Sequence, residues 1–180
     1  MSAENGKSPY TLLKEIDARS QQSAVARVAQ EHTDNAWRGI GFLVEGQRFV
    51  APMGEVDEVI HVPQCTKIPG VKPWLNGVAN VRGRLLSVVD LGVFFGEKPA
   101  TSSRKSRVLT IKQEEIYAGV IIQEVLGLQS FSGGMSKEGA DIDARFKPYV
   151  EGQFVINNEN WTVFSLFKLI QAQAFLQVAV

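Results

Sequence analysis

From Trp37 onward the hydrophobic positions fall into short runs separated by polar or glycine-containing breaks, the spacing of strands joined by tight turns. Trp37 to Val44 and Arg48 to Met53 predict two strands around Glu45-Gly46-Gln47. Gly54 to Val62 mixes Val56, Val59 and Ile60 with Glu55, Asp57 and Glu58, and predicts a short helical turn running into another strand. Val78 and Val81, then Leu85, Leu86, Val88, Val89 and Leu91, form two apolar runs parted by Arg82-Gly83, the pattern of a tight hairpin. Pro69, Gly70 and Pro73 make its approach extended, and Asp90 ends its second strand ahead of a short apolar turn, Leu91 to Phe95.

Downstream, Glu97 to Ser106 reads as an exposed loop. Arg107 to Lys112 and Ile116 to Ile122 predict paired strands around Gln113-Glu114-Glu115, and Val125 to Phe131 predicts one more. Ser132 to Ala140 carries Gly133, Gly134 and Gly139 and predicts a mobile loop. Tyr149 to Ile156 and Trp161 to Phe164 predict a last hairpin, after which Ser165 to Val178 returns to helical spacing through Leu166, Leu169, Ile170 and Ala174. Upstream, Ser8-Pro9 looks like a helix start, and Leu12, Leu13, Ile16, Ala24, Val25 and Val28 predict an amphipathic helix over 9–30. The chain thus divides into an N-terminal helical extension, 1–36, and a mainly β domain, 37–180.

Within that domain there is an echo. Leu43 to Ala51 and Thr110 to Ala118 share a strand–turn–strand pattern, each followed by an apolar, acid-dotted segment, Val56 to Ile60 and Ile122 to Leu126. The repeat suggests two similar β-subdomains with the loop 97–106 between them, and many short strands at regular spacing point to small barrels or a sandwich.

Composition narrows the function classes more than the fold. Nineteen basic and nineteen acidic residues cancel, so no electrostatic footprint for nucleic acid or an anionic membrane appears. Cys65 is the one cysteine, which rules out an intramolecular disulfide framework and fits a reducing compartment. No stretch has the length of a membrane span, and the first residues lack the order of a signal peptide, so a cytoplasmic protein is expected.

Chemistry is sparse. His61 and Cys65 stand close in sequence, but no further Cys or His completes the four ligands of a structural zinc, and His32 lies in a polar break. No phosphate loop, nucleophile elbow or dinucleotide fingerprint occurs, and no cofactor is expected. Glu55, Asp57, Glu58 and Asp90 could supply acid–base pairs, yet their spacing also suits a solvated strand face. A barrel binding a small ligand or single-stranded nucleic acid is the rival on fold alone, but the basic residues Arg104, Lys105 and Arg107 sit in one loop. Trp74, in a loop after Pro73, is either core or a partner contact; Arg82 is either an exposed turn residue or a guanidinium paired with a carboxylate at an interface.

The order Pro73-x-x-Asn76-Gly77-Val78-Ala79-Asn80-Val81-Arg82-Gly83, followed by an apolar run into Asp90-Leu91, resembles the signature of the CheW-type chemotaxis coupling family. Arg48 to Val59, Tyr117 to Val125, Tyr149 to Gly152 and Leu166 to Ile170 resemble other segments of that family, and the helical extension makes the chain most similar to its twitching-motility branch. The resemblance implies two five-stranded barrels around a shared hydrophobic interface, no catalytic activity, and coupling of a membrane-array chemoreceptor to a CheA-type histidine kinase. It implies a receptor groove of Val56, Glu58 and Arg82, with the last two paired, walled by Val120 to Ile122 and Val125. It implies a kinase contact at Trp74, Gly77 and Asn80, with Gly77 permitting close backbone approach. Gln123-Glu124 and Ser165 stand where the family more often has aspartate.

Overall fold

Three hairpins anchor the architecture, and their turns share one conformation at the first position. Glu45, Arg82 and Glu114 have φ of 52°, 50° and 50°, a left-handed geometry that lets a two-residue turn follow the twist of its strands. The strands they join are β1 (Trp37–Val44) with β2 (Gln47–Pro52), β4 (Leu75–Val81) with β5 (Arg84–Asp90), and β6 (Arg107–Gln113) with β7 (Ile116–Ile122). β3 (Glu58–His61), β8 (Glu124–Phe131), β9 (Val150–Ile156) and β10 (Glu159–Phe164) complete the set. This computed structural model describes residues 36–97, 103–137, 142–156 and 159–180. The helix expected over 9–30 lies outside them, as do parts of the loops 97–106 and 132–140.

The strands form two sheets of five, ordered β8-β1-β2-β10-β9 and β3-β6-β7-β5-β4. These are open rows: no pairing joins first strand to last among the described residues, so the expected barrels are two five-stranded sheets that do not close. Strand for strand, the two orders are the same pattern. Each has an antiparallel hairpin (β1–β2, β6–β7), whose second strand runs parallel to the second strand of another antiparallel hairpin (β9–β10, β4–β5). The echo between Leu43–Ala51 and Thr110–Ala118 is this repeat.

The segment 97–106 does not divide the sheets; it joins β5 to β6 within one of them. The divisions fall where the chain crosses over. β3 follows the β1–β2 hairpin but pairs with β6, and β8 follows β6–β7 but joins β1. The crossings are pinned alike: Asp57 N–H donates to the Thr110 carbonyl at 2.8 Å, and Gln123 N–H to the Leu43 carbonyl at 3.1 Å. Leu43 and Thr110 both lie on the first strand of their hairpins, two and four residues before the turn. Each sheet therefore borrows one strand from the other half.

Between the sheets lies one apolar interior. Phe42, Phe49, Phe146, Phe164, Leu109 and Val120 are almost wholly buried there, and the Phe49 ring packs 5.8 Å from Phe42, 5.1 Å from Phe146 and 5.6 Å from Phe164. Such pairs add about 0.5–1.5 kcal/mol each to the area they bury. A smaller cluster, Ala79, Leu86, Val88 and Val108, fills the other face of the β3–β7 sheet.

Two short helices close the interior. Asp90 ends β5 and caps α1 (Leu91–Phe94), its Oδ1 accepting from Val93 N–H at 3.1 Å. Ser165 does the same for α2 (Leu166–Gln171), accepting from Lys168 N–H at 3.2 Å. The helical spacing of Ser165 to Val178 is interrupted at Ala172, whose ψ of 136° is extended, and α3 (Gln173–Leu176) follows. The tail then runs antiparallel to Val71 through Ala179. Arg145 ties the periphery, bonding Glu45 at 3.0 Å, Asp143 at 2.9 Å and the Phe95 carbonyl.

Phe49→Ala removes the ring at the centre of this cluster and is expected to cost about 3–5 kcal/mol. In urea titration the midpoint should fall while the slope stays unchanged, because the same surface is exposed on unfolding.

Candidate functional site

The β4–β5 hairpin presents an exposed polar group of the signature stretch at its turn. Val81 faces Arg84 across a turn of Arg82 and Gly83, with φ of 50° and 80°. Asn80 Oδ1 accepts from Gly83 N–H at 2.9 Å, so the side chain before the turn holds it closed. The positive φ at Arg82 follows from hairpin geometry, since Glu45 and Glu114 share it. Its side chain is left 77% exposed, and an NH1 proton is donated to the Glu58 carboxylate, itself 31% exposed.

Glu58 reaches that tip only because β3 has crossed from the other half. Its N–H donates to Thr110 Oγ1 at 2.9 Å, and the same hydroxyl donates back to the Glu58 carbonyl at 3.2 Å. Thr110 is fully buried, a polar residue placed in the interior to hold the first residue of the borrowed strand. In water such an exposed ion pair is worth under about 1 kcal/mol, so it adds little to the fold and leaves both charges available to a partner.

The other expected site residues separate by burial. Asn80 is exposed beside the pair, while Val56 and Val125 are half-buried against the shared interior. Val120 and Ile122 are 0% and 2% exposed, on the β7 face turned inward, and cannot wall a groove. Strand alternation places Ile121 on the opposite face, against the smaller cluster. Trp74 is also core: it stacks on Phe175 at 5.9 Å and meets the edge of Phe94 at 5.3 Å. Gly77 does permit close approach, but by its own chain. It has φ of 134° at a bulge, and a Cβ there would overlap the Thr66 carbonyl. A kinase contact through the Trp74 or Gly77 side positions is thereby corrected to a structural role.

Two features escape sequence reasoning. The carboxylate of Glu55, in the 3₁₀ turn Met53–Glu55, accepts from Ser165 Oγ at 2.9 Å, Leu166 N–H at 2.6 Å and Phe167 N–H at 3.2 Å. Burial pushes its pKa above the usual glutamate value, and Glu151 pushes the same way; the three hydrogen bonds only partly offset them. Nothing local signals a contact across 110 residues. The second feature is an apolar groove of about 430 Å³ between β5, β7 and the C-terminal segment, lined by Ile68, Leu85, Val89, Ile116, Phe175 and Leu176. Leu85, 71% exposed at its rim, reads in sequence as an ordinary strand residue.

Elsewhere the described residues hold no group of three His, Cys, Asp or Glu side chains able to bind a metal, and no helix among them is long and apolar enough to cross a membrane. Cys65 is half-buried over the smaller cluster, where burial raises its thiol pKa.

The family model of the CheW-like domain matches residues 38–174. The chain is 43% identical over 175 residues to Protein PilI of Pseudomonas aeruginosa, covering 97% of this chain and 98% of that one. It is 26% identical over 113 residues to the chemotaxis protein CheW of Helicobacter pylori, covering 63% of this chain and 68% of that one. Among solved structures it resembles the scaffolding protein TtCheW of Thermoanaerobacter tengcongensis, with a TM-score of 0.68 at 21% identity over 77% of this chain and 95% of that one.

Gly77→Asp is expected to lower the melting temperature sharply, because a side chain at positive φ must displace the Thr66 backbone; circular dichroism checks it. For Glu55 the sign is the reverse of an ordinary surface carboxylate. Its folded-state pKa is raised, so its contribution is fully present below the unfolded value and fades as pH rises through the folded one. Glu55→Gln, neutral at every pH, should therefore gain stability over the native chain at neutral pH, and the gain should shrink towards pH 4 in denaturation series. Glu55→Ala, which leaves its donors unpaired, should cost about 1–3 kcal/mol.

Proposed function

The chain belongs to the CheW-like family of non-catalytic scaffold proteins, and we propose that it couples a chemoreceptor to a CheA-type histidine kinase in a chemosensory array that controls type IV pilus twitching motility. The observation that carries this reading is the Glu58–Arg82 pair at the outer end of the signature hairpin, two hydrogen-bonding charges that contribute little to folding. A receptor helix tip docks against Glu58 and Arg82, with Val56 at the base of the same crossing. Arg suits this task because its planar fork satisfies carboxylate and carbonyl acceptors together. The kinase regulatory domain meets the same hairpin, where Asn80 is the member of the expected trio with an exposed side chain. The near full-length likeness to PilI supports assigning the coupling to twitching, and the protein acts at the cytoplasmic face of membrane-bound receptor arrays.

The rival reading is a β-barrel that binds a small ligand or single-stranded nucleic acid, and its nucleic-acid form needs exposed aromatic platforms. Trp74 and Trp161 are 7% and 8% exposed, which leaves that reading without support from either.

Calorimetric titration against the kinase regulatory domain and against a soluble receptor tip fragment tests the proposal. Saturable binding in the micromolar range is expected for both, as for transient signalling contacts. Arg82→Ala and Glu58→Arg should each weaken receptor binding roughly tenfold or more while shifting the melting temperature by no more than a few degrees. A folded native protein that binds neither partner would overturn the coupling role.

A further inference from the structure

The 3₁₀ turn Met53–Glu55 is the first crossing between the sheets, and the residues it leads into are Val56, Asp57 and Glu58. Both ends of that short stretch are pinned. At the far end, Asp57 N–H donates to the Thr110 carbonyl at 2.8 Å, and Glu58 exchanges two bonds with the Thr110 hydroxyl. At the near end, Glu55 receives Ser165 Oγ and the first N–H groups of α2. Ser165 is itself fixed, since its N–H donates to the Tyr149 carbonyl at 2.8 Å and its hydroxyl caps Lys168.

Helix capping alone does not require this carboxylate, because Ser165 already supplies an N-cap oxygen and a neutral acceptor would serve Leu166 and Phe167. What the Glu55 contact adds is a fixed distance between the C-terminal helix and the start of β3. We propose that Glu55 is a positioning residue for the partner surface, locking the crossing to α2 so that the Glu58 carboxylate stands where Arg82 and a partner can both use it. Glu55 touches neither Arg82 nor the partner and acts through Glu58. This role rests on the adaptor reading above, and it makes the seating of the C-terminal helix part of the binding surface. Any ligand or subunit that shifts α2 would alter receptor affinity without contacting the tip.

The test uses the full chain, with the receptor tip fragment as probe. Glu55→Ala, Glu55→Gln, Glu58→Gln and the double variant Glu55→Ala/Glu58→Gln are titrated by calorimetry, and amide hydrogen exchange is followed over residues 56–60. Glu55→Ala is expected to weaken binding roughly tenfold and to speed exchange at Asp57 and Glu58, while Glu55→Gln, which keeps an acceptor oxygen, stays within about twofold of native. In the Glu58→Gln background the Glu55→Ala penalty should fall below about twofold, since its route to the partner is gone. A role confined to stability would give additive penalties, and that outcome, or unchanged exchange over 56–60, overturns the inference. Should Glu55→Ala fail to fold, Glu55→Asp, which draws the carboxylate back, takes its place in the cycle. If Glu58→Gln binds like native, the assigned receptor surface is wrong, and exchange at Asp57 and Glu58 alone then decides whether Glu55 positions the strand.

Discussion

The exchange of one strand between the two halves is the constraint on which the rest of the structure depends. β3 and β8 leave the hairpins they follow and complete the opposite sheet. Borrowing the fifth strand pairs the outer edges of β1 and β6 and binds the halves together. The exchange also explains why one interior serves both sheets. Phe42 and Phe49 come from one and Leu109 and Val120 from the other, and neither group could be buried if the sheets parted.

Polar groups inside this arrangement sit where the chain crosses over. Thr110, fully buried, receives β3; the Leu43 carbonyl receives the N–H of Gln123 just before β8, and the Gln123 side-chain oxygen accepts Gly46 N–H at 3.1 Å. Glu55 joins the first crossing to the helix that ends the second half. These are points where the backbone leaves one ladder before entering the next, and its N–H groups need partners from elsewhere. The same rule accounts for Gln123 and Ser165, each of which is engaged in holding a junction.

Most strand limits were legible because turn chemistry marks them. Arg82-Gly83 and Glu45-Gly46 end their runs where the structure turns, and Asp90 and Ser165 announce the short helices that follow. The echo foretold a repeat, yet its sheets were misdivided at 97–106. Alternating apolar positions specify which face of a strand is buried, not which neighbour it pairs with. Trp74 was undecidable for a related reason, since a large aromatic after a proline suits either a core or a contact until Phe94 and Phe175 are seen against it. The Glu58–Arg82 ion pair is what the resemblance implies, whereas the contacts of Glu55 stay hidden because its partners are distant in sequence.

The parallel pairing of β2 with β10 sets Phe49 beside Thr162 and Val50 beside Val163. On a ribosome, then, the first hairpin emerges with the edge of β2 unpaired, and it stays so until nearly the whole chain has been made. Closure of a loop this long is slow, and the waiting hairpin offers an apolar face and an open edge to other nascent chains. The architecture that makes the finished protein one cooperative body thus places its period of greatest vulnerability during synthesis, when chaperone access to residues 37–52 would matter most.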